Sequence, residues 1–316
     1  MTKLLGFQGL LLILLAPCMI GVLRKLEAWL ELRQGPGIFQ PYRDIVKLMR
    51  KPAMRARTTS RLFAITPYVL FSVYGLLCLL APVFHRATLA SVDLIVVIYL
   101  LGMARFAFSL AGLDAGSSFG GLGSSRQMFV HLLTEIGLVL VIIALMVKWN
   151  TVSLTAIFDK HWELGYVNFL AEPELILLAL SLALLILLES ARIPIDNPAT
   201  HLELTMSHKA IALEYAGRDL ALIEWAEMIK LGFLLTLLGN LFLPFPRWAD
   251  PMHSIGPSGL ALAFGGYCAK LILLLLLLAF WELSQPKLRL RSIIGPSLVA
   301  IVLSLTAIIY TITLRK

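Results

Sequence analysis

Eight stretches of about 20 mostly apolar residues follow one another along this chain, and each is long enough to cross roughly 30 Å of hydrocarbon as a helix. They cover residues 4–23, 66–84, 91–113, 128–148, 169–189, 222–243, 258–280 and 295–314. The pattern predicts an all-α integral membrane protein with about eight transmembrane helices and with long cytoplasmic loops after helices 1 and 5. We expect a single polytopic membrane domain over residues 1–316.

The composition excludes a soluble enzyme. Of the 316 residues, 59% are hydrophobic and 15% are charged, whereas globular chains are roughly half apolar and about a quarter charged. Cys18, Cys78 and Cys268 each lie alone in an apolar run, so they cannot form an iron–sulfur, haem or zinc ligand set. We therefore expect no metal site, no bound cofactor and no redox centre in this chain.

The formal net charge of +8 is interpreted as a feature of membrane topology. Lys and Arg are concentrated in alternate connecting segments, which the positive-inside rule assigns to the cytoplasm. The predicted cytoplasmic loops are residues 25–65, 112–127, 190–221 and 281–294, and both termini are predicted on the outer side. Nucleic-acid binding is not expected, because it requires basic residues clustered on a soluble face.

Two of the predicted cytoplasmic loops are longer than a connection requires. Residues 25–65 contain an amphipathic stretch from Tyr42 to Arg50, which predicts a helix lying on anionic headgroups of the lipid bilayer. Residues 190–221 carry acidic as well as basic residues, which membrane topology does not require. A partner or a functional site is therefore expected at the second loop.

A small set of ionisable residues lies inside the predicted spans: Arg105, Glu135, Glu227, Lys230 and Lys270. Such residues normally face the protein interior, paired or hydrated. Counting about 1.5 Å per residue places all of them between the cytoplasmic face and the midplane, which predicts a polar inlet that opens from the cytoplasm and continues sideways or stops. Glu227 and Lys230, three residues apart, also fit a purely structural ion pair. Glu135 has no local partner, and we expect it to be buried and to carry protons.

Longer motifs in the same loops resemble the complex I subunit 1 family. Residues 33–48, which begin with the letters R-Q-G-P-G, resemble the first cytoplasmic loop of that family. Residues 189–196 fit E-x-x-R-x-P-x-D, Glu203 follows, and residues 214–217 read E-Y-A-G, in the order of the family's long loop between helices five and six. With eight spans in matching order, the resemblance covers nearly the whole chain.

Details of the loops point to one branch of that family. The form Gly35-Pro36-Gly37, followed by residues 38–40, is similar to the membrane subunit of group 4 [NiFe] hydrogenases, a branch that includes formate hydrogenlyase and hydrogenase-4. Residues 113–117 and 123–126 resemble the third cytoplasmic loop of the same branch. Where many members have an acid-rich run after the Pro-x-Asp, this chain keeps only Glu203, which indicates a distinct sub-branch.

The resemblance implies a non-catalytic anchor subunit in a prokaryotic inner membrane. Its implied partners are the hydrogenase large and small subunits and an iron–sulfur subunit, which would hold the NiFe and iron–sulfur centres, and antiporter-like subunits that move protons or sodium. The alternatives are a quinone-site subunit of a complex I-type dehydrogenase and, less favoured, a stand-alone transporter. Such transporters often show inverted repeats, and none is visible in this sequence.

Charge placement and resemblance together give two sets of candidate residues. The proton-path candidates are Glu135, Glu189, Glu203, Glu214, Glu224, Glu227, Lys230, Arg105 and Lys270. The residues implied to dock the peripheral arm are Arg33, Gly35, Pro36, Gly37, Gln40, Arg43, Asp44, Arg192 and Asp196.

Overall fold

The chain folds as a bundle of α-helices. A computed structural model describes residues 2–56, 58–83, 92–192, 207–243, 257–285 and 294–314. Its helices are α1 (Thr2–Leu30), α2 (Gln40–Met49), α3 (Arg61–Leu80), α4 (Leu94–Asp114), α5 (Ser118–Trp149), α6 (Leu154–Leu170), α7 (Pro173–Glu189), α8 (His208–Ala212), α9 (Gly217–Phe242), α10 (Pro257–Ser284) and α11 (Ile294–Leu314). Within these ranges the only β-type pairing is an isolated bridge between Asp93 and Ser153. The prediction of an all-α fold is therefore confirmed.

In the described ranges, six helical segments are long and apolar enough to span a membrane. They are Phe7–Leu30, Arg61–Leu80, Leu94–Asp114, Ser118–Trp149, Ala261–Ser284 and Ile294–Thr313. Two further predicted spans fall in α7, which has 17 residues, and in α9, whose first half carries charged residues. The count of eight spans and the sides on which the termini lie stay predictions.

Two connecting segments differ from the sequence-based expectation. The predicted loop 112–127 is mostly helix, because α4 continues to Asp114 and α5 begins at Ser118. Ser117 caps this start of α5 by accepting a hydrogen bond from the backbone N–H of Gly120 at 2.8 Å, as serine commonly does at a helix N-terminus. The predicted outer connection after residue 148 contains α6, whose mixed polar and apolar residues hid it from a search for apolar runs.

Helix α9 is the centre of the bundle. It packs against α1, α2, α3, α6, α7 and α10, and every side chain from Met228 to Phe242 is buried. Most other helices expose large apolar side chains on one face, as expected for helices that face lipid. We call the end of the bundle that carries α2 and α8 the α2 end, and the opposite end the α6 end.

The E-Y-A-G motif closes the α2 end. The ring of Tyr215 stacks on Phe63 with centroids 3.9 Å apart, and its hydroxyl donates to the Phe63 carbonyl oxygen at 3.1 Å. Gly217 has a φ of +58°, and a Cβ at this position would lie 2.1 Å from the carbonyl oxygen of Pro52. Nearby, Arg55 Nε donates to Asp219 Oδ2 at 2.8 Å. The motif thus fixes the segment before α3 against the start of α9.

Replacing Gly217 with alanine is expected to destabilise the subunit. The left-handed backbone costs about 1–2 kcal/mol for a residue with a Cβ, and the methyl group must also displace the Pro52 carbonyl. The thermal midpoint of the purified protein in detergent should therefore fall clearly. Gly37→Ala is the matched control, because a Cβ there meets nothing within 4 Å, and it should leave the midpoint unchanged. Equal midpoints for the two variants would contradict this account of Gly217.

Candidate functional site

A buried ion pair joins α4 to α7. Arg105 is 4% exposed and Glu189, the last residue of α7, is 1% exposed. Arg105 Nη1 donates to Glu189 Oε2 at 3.1 Å, and Arg105 Nε donates to the carbonyl oxygen of Leu101 at 3.2 Å. Two charges so completely buried from solvent are tolerated only because each compensates the other.

Polar contacts continue from Glu189 through α5 to α8. His131 Nδ1 lies 3.7 Å from Glu189 Oε2. Gln127, one turn earlier on α5, places its amide Nε2 3.0 Å from His131 Nε2 and also 3.0 Å from His208 Nδ1. All three side chains are buried. A single amide group therefore bridges two histidines that lie far apart in the sequence.

The series of contacts ends on α9. His208 Nε2 lies 3.5 Å from Glu227 Oε1, and Glu227 Oε2 lies 2.7 Å from Lys230 Nζ. We call the connected residues the polar chain: Arg105, Glu189, His131, Gln127, His208, Glu227 and Lys230. Its side chains are buried except that of Glu227, which is 18% exposed, so the polar chain is most accessible at its Glu227 end.

Close helix packing brings His208 to the polar chain. A Cβ on Gly123 of α5 would lie 2.8 Å from the Cβ of Ala210 in α8, so only glycine lets α8 approach this near. The His208 ring also packs on Phe108 of α4, with centroids 4.7 Å apart. Burial, helped by the positive charges of Lys230 and Lys209, lowers the pKa of His208 well below its ordinary value. The surroundings of His208 therefore disfavour the charged imidazolium.

The predicted proton-path residues do not all lie together. Arg105, Glu189, Glu227 and Lys230 lie in the polar chain, with Glu227 and Lys230 in the predicted ion pair. Glu214 accepts a hydrogen bond from Ser117, and Glu224 pairs with Lys209; both acids are half-buried at the α2 end. Glu203 lies outside the described residues, as does Asp196 of the docking set.

The expected burial of Glu135 is wrong for the chain on its own. The side chain is exposed on the outward face of α5, next to exposed Leu132 and Ile136. It still lies close to the polar chain, because a Cβ on Gly102 would be 3.8 Å from both Glu135 Oε1 and Arg105 Nη2. Glu135 is thus a carboxyl group on an apolar face beside the buried ion pair.

Lys270 does not lie with the other in-span charges. Its Nζ is 3.5 Å from the carbonyl oxygen of Gly239, in the last turn of α9. Glu227 is twelve positions earlier on the same helix, which corresponds to about 18 Å along its axis. The ammonium of Lys270 therefore reaches toward the α6 end, away from the polar chain, and its expected position in the inner half of the membrane stays a prediction.

The docking residues of the first loop lie at the surface. Residues 33–37 are exposed, and Arg33 pairs only loosely with Glu31 at 3.5 Å. Gln40 Nε2 donates to Asp44 Oδ1 at 2.9 Å, which stabilises the first turn of α2. Arg43 is exposed and lines a cavity of about 440 Å³ together with Tyr42, Val46, Lys47 and Arg50. The predicted amphipathic helix over 42–50 is confirmed as α2.

Arg192 was predicted to contact the peripheral arm, but its side chain forms ion pairs within this chain. Its Nη1 lies 2.9 Å from Glu282 Oε1 and 3.9 Å from Glu27 Oε1. The guanidinium therefore joins the end of α7 to α10 and α1, and is engaged inside the chain.

Three members of the polar chain were not predicted from the sequence: Gln127, His131 and His208. Gln127 and His131 are four residues apart, a spacing that places two side chains on one helix face, and this pattern was a usable indication. His208 had no such indication, because its contact with Gln127 joins residues 81 positions apart. No group of three or more His, Cys, Asp or Glu residues that could hold a metal occurs in the described part of the chain.

This fold and the polar chain define a class: a polytopic membrane protein with connected ionisable side chains in its interior, which in membrane proteins commonly mark ion or proton routes. The chain belongs to the NADH dehydrogenase family, which matches residues 2–312. The resemblance to the complex I subunit 1 family and its hydrogenase branch is confirmed.

Two proteins of Escherichia coli (strain K12) are similar to this chain over most of their length. Hydrogenase-4 component C is 34% identical over 245 residues, covering 76% of this chain and 75% of that protein. Formate hydrogenlyase subunit 4 is 31% identical over 291 residues, covering 90% of each chain. An NADH-quinone oxidoreductase subunit from Orientia tsutsugamushi (strain Ikeda) is 26% identical over 238 residues, covering 70% of this chain and 67% of that protein.

A solved structure has the same fold. A chain in the structure of the membrane-bound sulfane sulfur reductase, an archaeal respiratory membrane complex, aligns with a TM-score of 0.79 and 20% identity, over 96% of this chain and 99% of the other. At this identity the similarity establishes the fold alone.

Proposed function

We propose that this chain is the membrane anchor and coupling subunit of a membrane-bound [NiFe] hydrogenase complex. In this proposal it links a peripheral redox arm to antiporter-like subunits that translocate protons or sodium in the prokaryotic inner membrane. The observation that carries the proposal is the polar chain, a connected set of buried ionisable side chains between α4 and α9. The higher identity to the two hydrogenase-type relatives favours this assignment over a quinone-site subunit.

The redox centres are assigned to partner subunits. The cysteines are free and dispersed at Cys18, Cys78 and Cys268, and the described residues include no group fit to hold a metal ion. This chain is therefore assigned two tasks: to bind the peripheral redox arm, and to change the proton occupancy of its polar chain when the charge of that arm changes. The exposed residues 33–37 and Arg43, at the predicted cytoplasmic end, are the proposed contact with that arm.

The coupling step begins at the accessible end of the polar chain. An electron that arrives in a docked arm adds negative charge near Glu227 and the half-buried Glu214 and Glu224. A shift of one pKa unit corresponds to about 1.4 kcal/mol, so a few such shifts are enough to change which groups of the polar chain hold a proton.

The far end of the polar chain points to a second membrane partner. Glu135 lies beside Arg105 but on the outward apolar face of α5, where a bare charge in lipid costs about 2.5–3.5 kcal/mol. A neighbouring membrane subunit with a polar group at this depth would remove that cost. Protons leaving the polar chain would then pass sideways through Glu135, as the inlet predicted from the sequence requires.

Co-purification tests the anchoring role. A tag on this chain should recover nickel, iron and dye-linked hydrogenase activity from detergent-solubilised membranes. Arg43→Glu should lower the hydrogenase activity retained by washed membranes by about twofold or more, because reversed charges at an interface repel the partner. Glu163→Lys, at an exposed position of α6, is the matched control and should retain it. Recovery of quinone-reactive subunits without nickel, or full ion transport by the chain alone in liposomes, would contradict the proposal.

A further inference from the structure

Gln127 occupies an unusual place in the polar chain. It is the one member that cannot ionise, and it lies between two halves that can. We call these two halves of the polar chain the Glu189–His131 arm and the His208–Glu227 arm. Neither is part of the peripheral redox arm. The same amide nitrogen of Gln127 lies 3.0 Å from the ring nitrogen of each histidine, and the amide Oε1 has no hydrogen-bond partner among the described residues.

Hydrogen-bond chemistry restricts what the two rings can do. An amide NH₂ group has two protons to donate and no acceptor capacity, whereas the amide oxygen only accepts. When the NH₂ group faces the rings, His131 Nε2 and His208 Nδ1 must both be without a proton. Each neutral ring then carries its proton on the opposite nitrogen, which faces Glu189 Oε2 at 3.7 Å in one arm and Glu227 Oε1 at 3.5 Å in the other.

Rotation of the amide by half a turn reverses both contacts together. With Oε1 between the rings, His131 Nε2 and His208 Nδ1 must both carry protons. The opposite ring nitrogens then either accept from a protonated carboxyl or stay protonated beside a carboxylate. Each arm therefore holds one proton in the first arrangement and two in the second. The conversion adds one proton from outside to each arm, and the nitrogen that faces Gln127 is protonated while the amide turns and its contact with the ring is open. Only N–H and O–H bonds form or break.

We infer that Gln127 is a positioning residue that makes the two arms gain and lose protons together. Because one atom contacts both rings, a state with one facing nitrogen protonated and the other bare would place two donors, or two lone pairs, against each other. Proton occupancy at Glu227 is thus linked to proton occupancy at Glu189, across α5, although no proton crosses the amide. The linkage itself is inferred from the contacts of Gln127. Only its use in ion coupling rests on the proposed function.

Other charged and titratable groups surround the two arms and set the pH at which they load. Arg105 on α4 contacts the Glu189–His131 arm, whereas Lys209 on α8 and Glu224 and Lys230 on α9 act on the His208–Glu227 arm, and Tyr74 on α3 lies beside Lys230. Because these surroundings differ, two unlinked arms would titrate at different pH values. The linkage itself depends on the position of Gln127 between the rings.

Solid-state NMR of the purified complex, labelled with nitrogen-15 histidine, tests the inference. The ring signals of the two histidines are assigned as those lost in His131→Phe and His208→Phe. In the wild type, both facing nitrogens should be bare together or protonated together, and a pH titration should convert them at one common midpoint. In Gln127→Met, which keeps the side-chain volume but has no amide, the two rings should titrate at separate midpoints.

The wild-type spectrum decides the question even if Gln127→Met does not assemble. A wild-type state with one facing nitrogen protonated and the other bare, or two separate midpoints, would overturn the inference. So would a common midpoint that persists in Gln127→Met. The result is independent of ion transport: joint titration in a complex whose transport does not need His131 would leave the linkage standing and refute the proposed function.

Discussion

Arg105→Leu is expected to lower the stability of the assembled subunit by about 3–5 kcal/mol, the usual cost of leaving one partner of a buried ion pair without the other. Glu189 would remain 1% exposed with its counter-charge removed. His131 Nδ1 remains 3.7 Å from Glu189 Oε2 but cannot replace a guanidinium. The expected result is a large fall in the thermal midpoint in detergent, or loss of the subunit from membranes.

A second substitution separates lost charge compensation from lost packing. Arg105→Leu combined with Glu189→Leu should recover most of the stability, because neither charge is then buried alone. Arg33→Leu is the control for removing an arginine as such: its side chain is 75% exposed, and the expected change is within about 0.5 kcal/mol. A double variant as unstable as Arg105→Leu would show that the ion pair is not what holds α4 against α7.

Membrane helices and the partners of buried charges were predictable because the alternatives carry a large free-energy cost. Apolar runs of about 20 residues have few alternatives to a buried helix, so each predicted span coincides with a helix, although α1 extends to Leu30 and α5 begins at Ser118, well outside the predicted ends. A charge inside such a run must be compensated, and this singled out Arg105 and the Glu227–Lys230 pair. The Glu189 partner of Arg105 was recognised as functional only through its loop motif, since the 84 positions between them hide the contact.

Glu135 shows where that reasoning fails. Burial was inferred from depth along the helix, but depth does not tell which way a side chain points. In soluble helices the polar face identifies the exposed side, whereas in a membrane both the lipid-facing and the buried faces are apolar. On α5, buried Val130 and Thr134 alternate with exposed Leu132 and Glu135, and the sequence pattern does not distinguish the two sets.

The histidines of the polar chain were missed for a different reason. A search for charged residues passes over His and Gln, which are neutral and common in ordinary cores. Their role depends on α8 packing against α5 beside Gly123, a tertiary contact that no local pattern contains. The segment 190–221, predicted to be a cytoplasmic docking loop, thus also supplies an interior member of the site through His208.

Loss of ion coupling in His131→Phe is the second large effect expected. Phenylalanine keeps a planar ring of similar size but removes both nitrogens, so the contacts to Glu189 and Gln127 are broken. In the proposed complex the redox centres belong to partner subunits, so this substitution leaves them unchanged. We expect dye-linked hydrogenase activity to be retained, while the ions moved per hydrogen turned over fall by about a hundredfold or more, the lower end of what a proton-transferring side chain typically contributes.

His161→Phe is the matched control. This histidine is also buried but lies at the α6 end, where its ring packs beside Trp149 and Phe242 with centroids 5.1 and 6.0 Å away. A phenylalanine fits that aromatic setting, and within the described ranges the ring does not contact the polar chain. Coupling should therefore stay at the wild-type level in this variant.

The most direct measurement is the ratio of protons (or sodium ions) translocated to hydrogen produced, in inside-out vesicles that contain the intact complex. The proposed coupling role predicts a wild-type ratio for His161→Phe and a ratio near zero for His131→Phe, with equal dye-linked activity in both. A wild-type ratio in an assembled, active His131→Phe complex would show that proton loading of the polar chain is not needed for coupling, and would contradict the central claim.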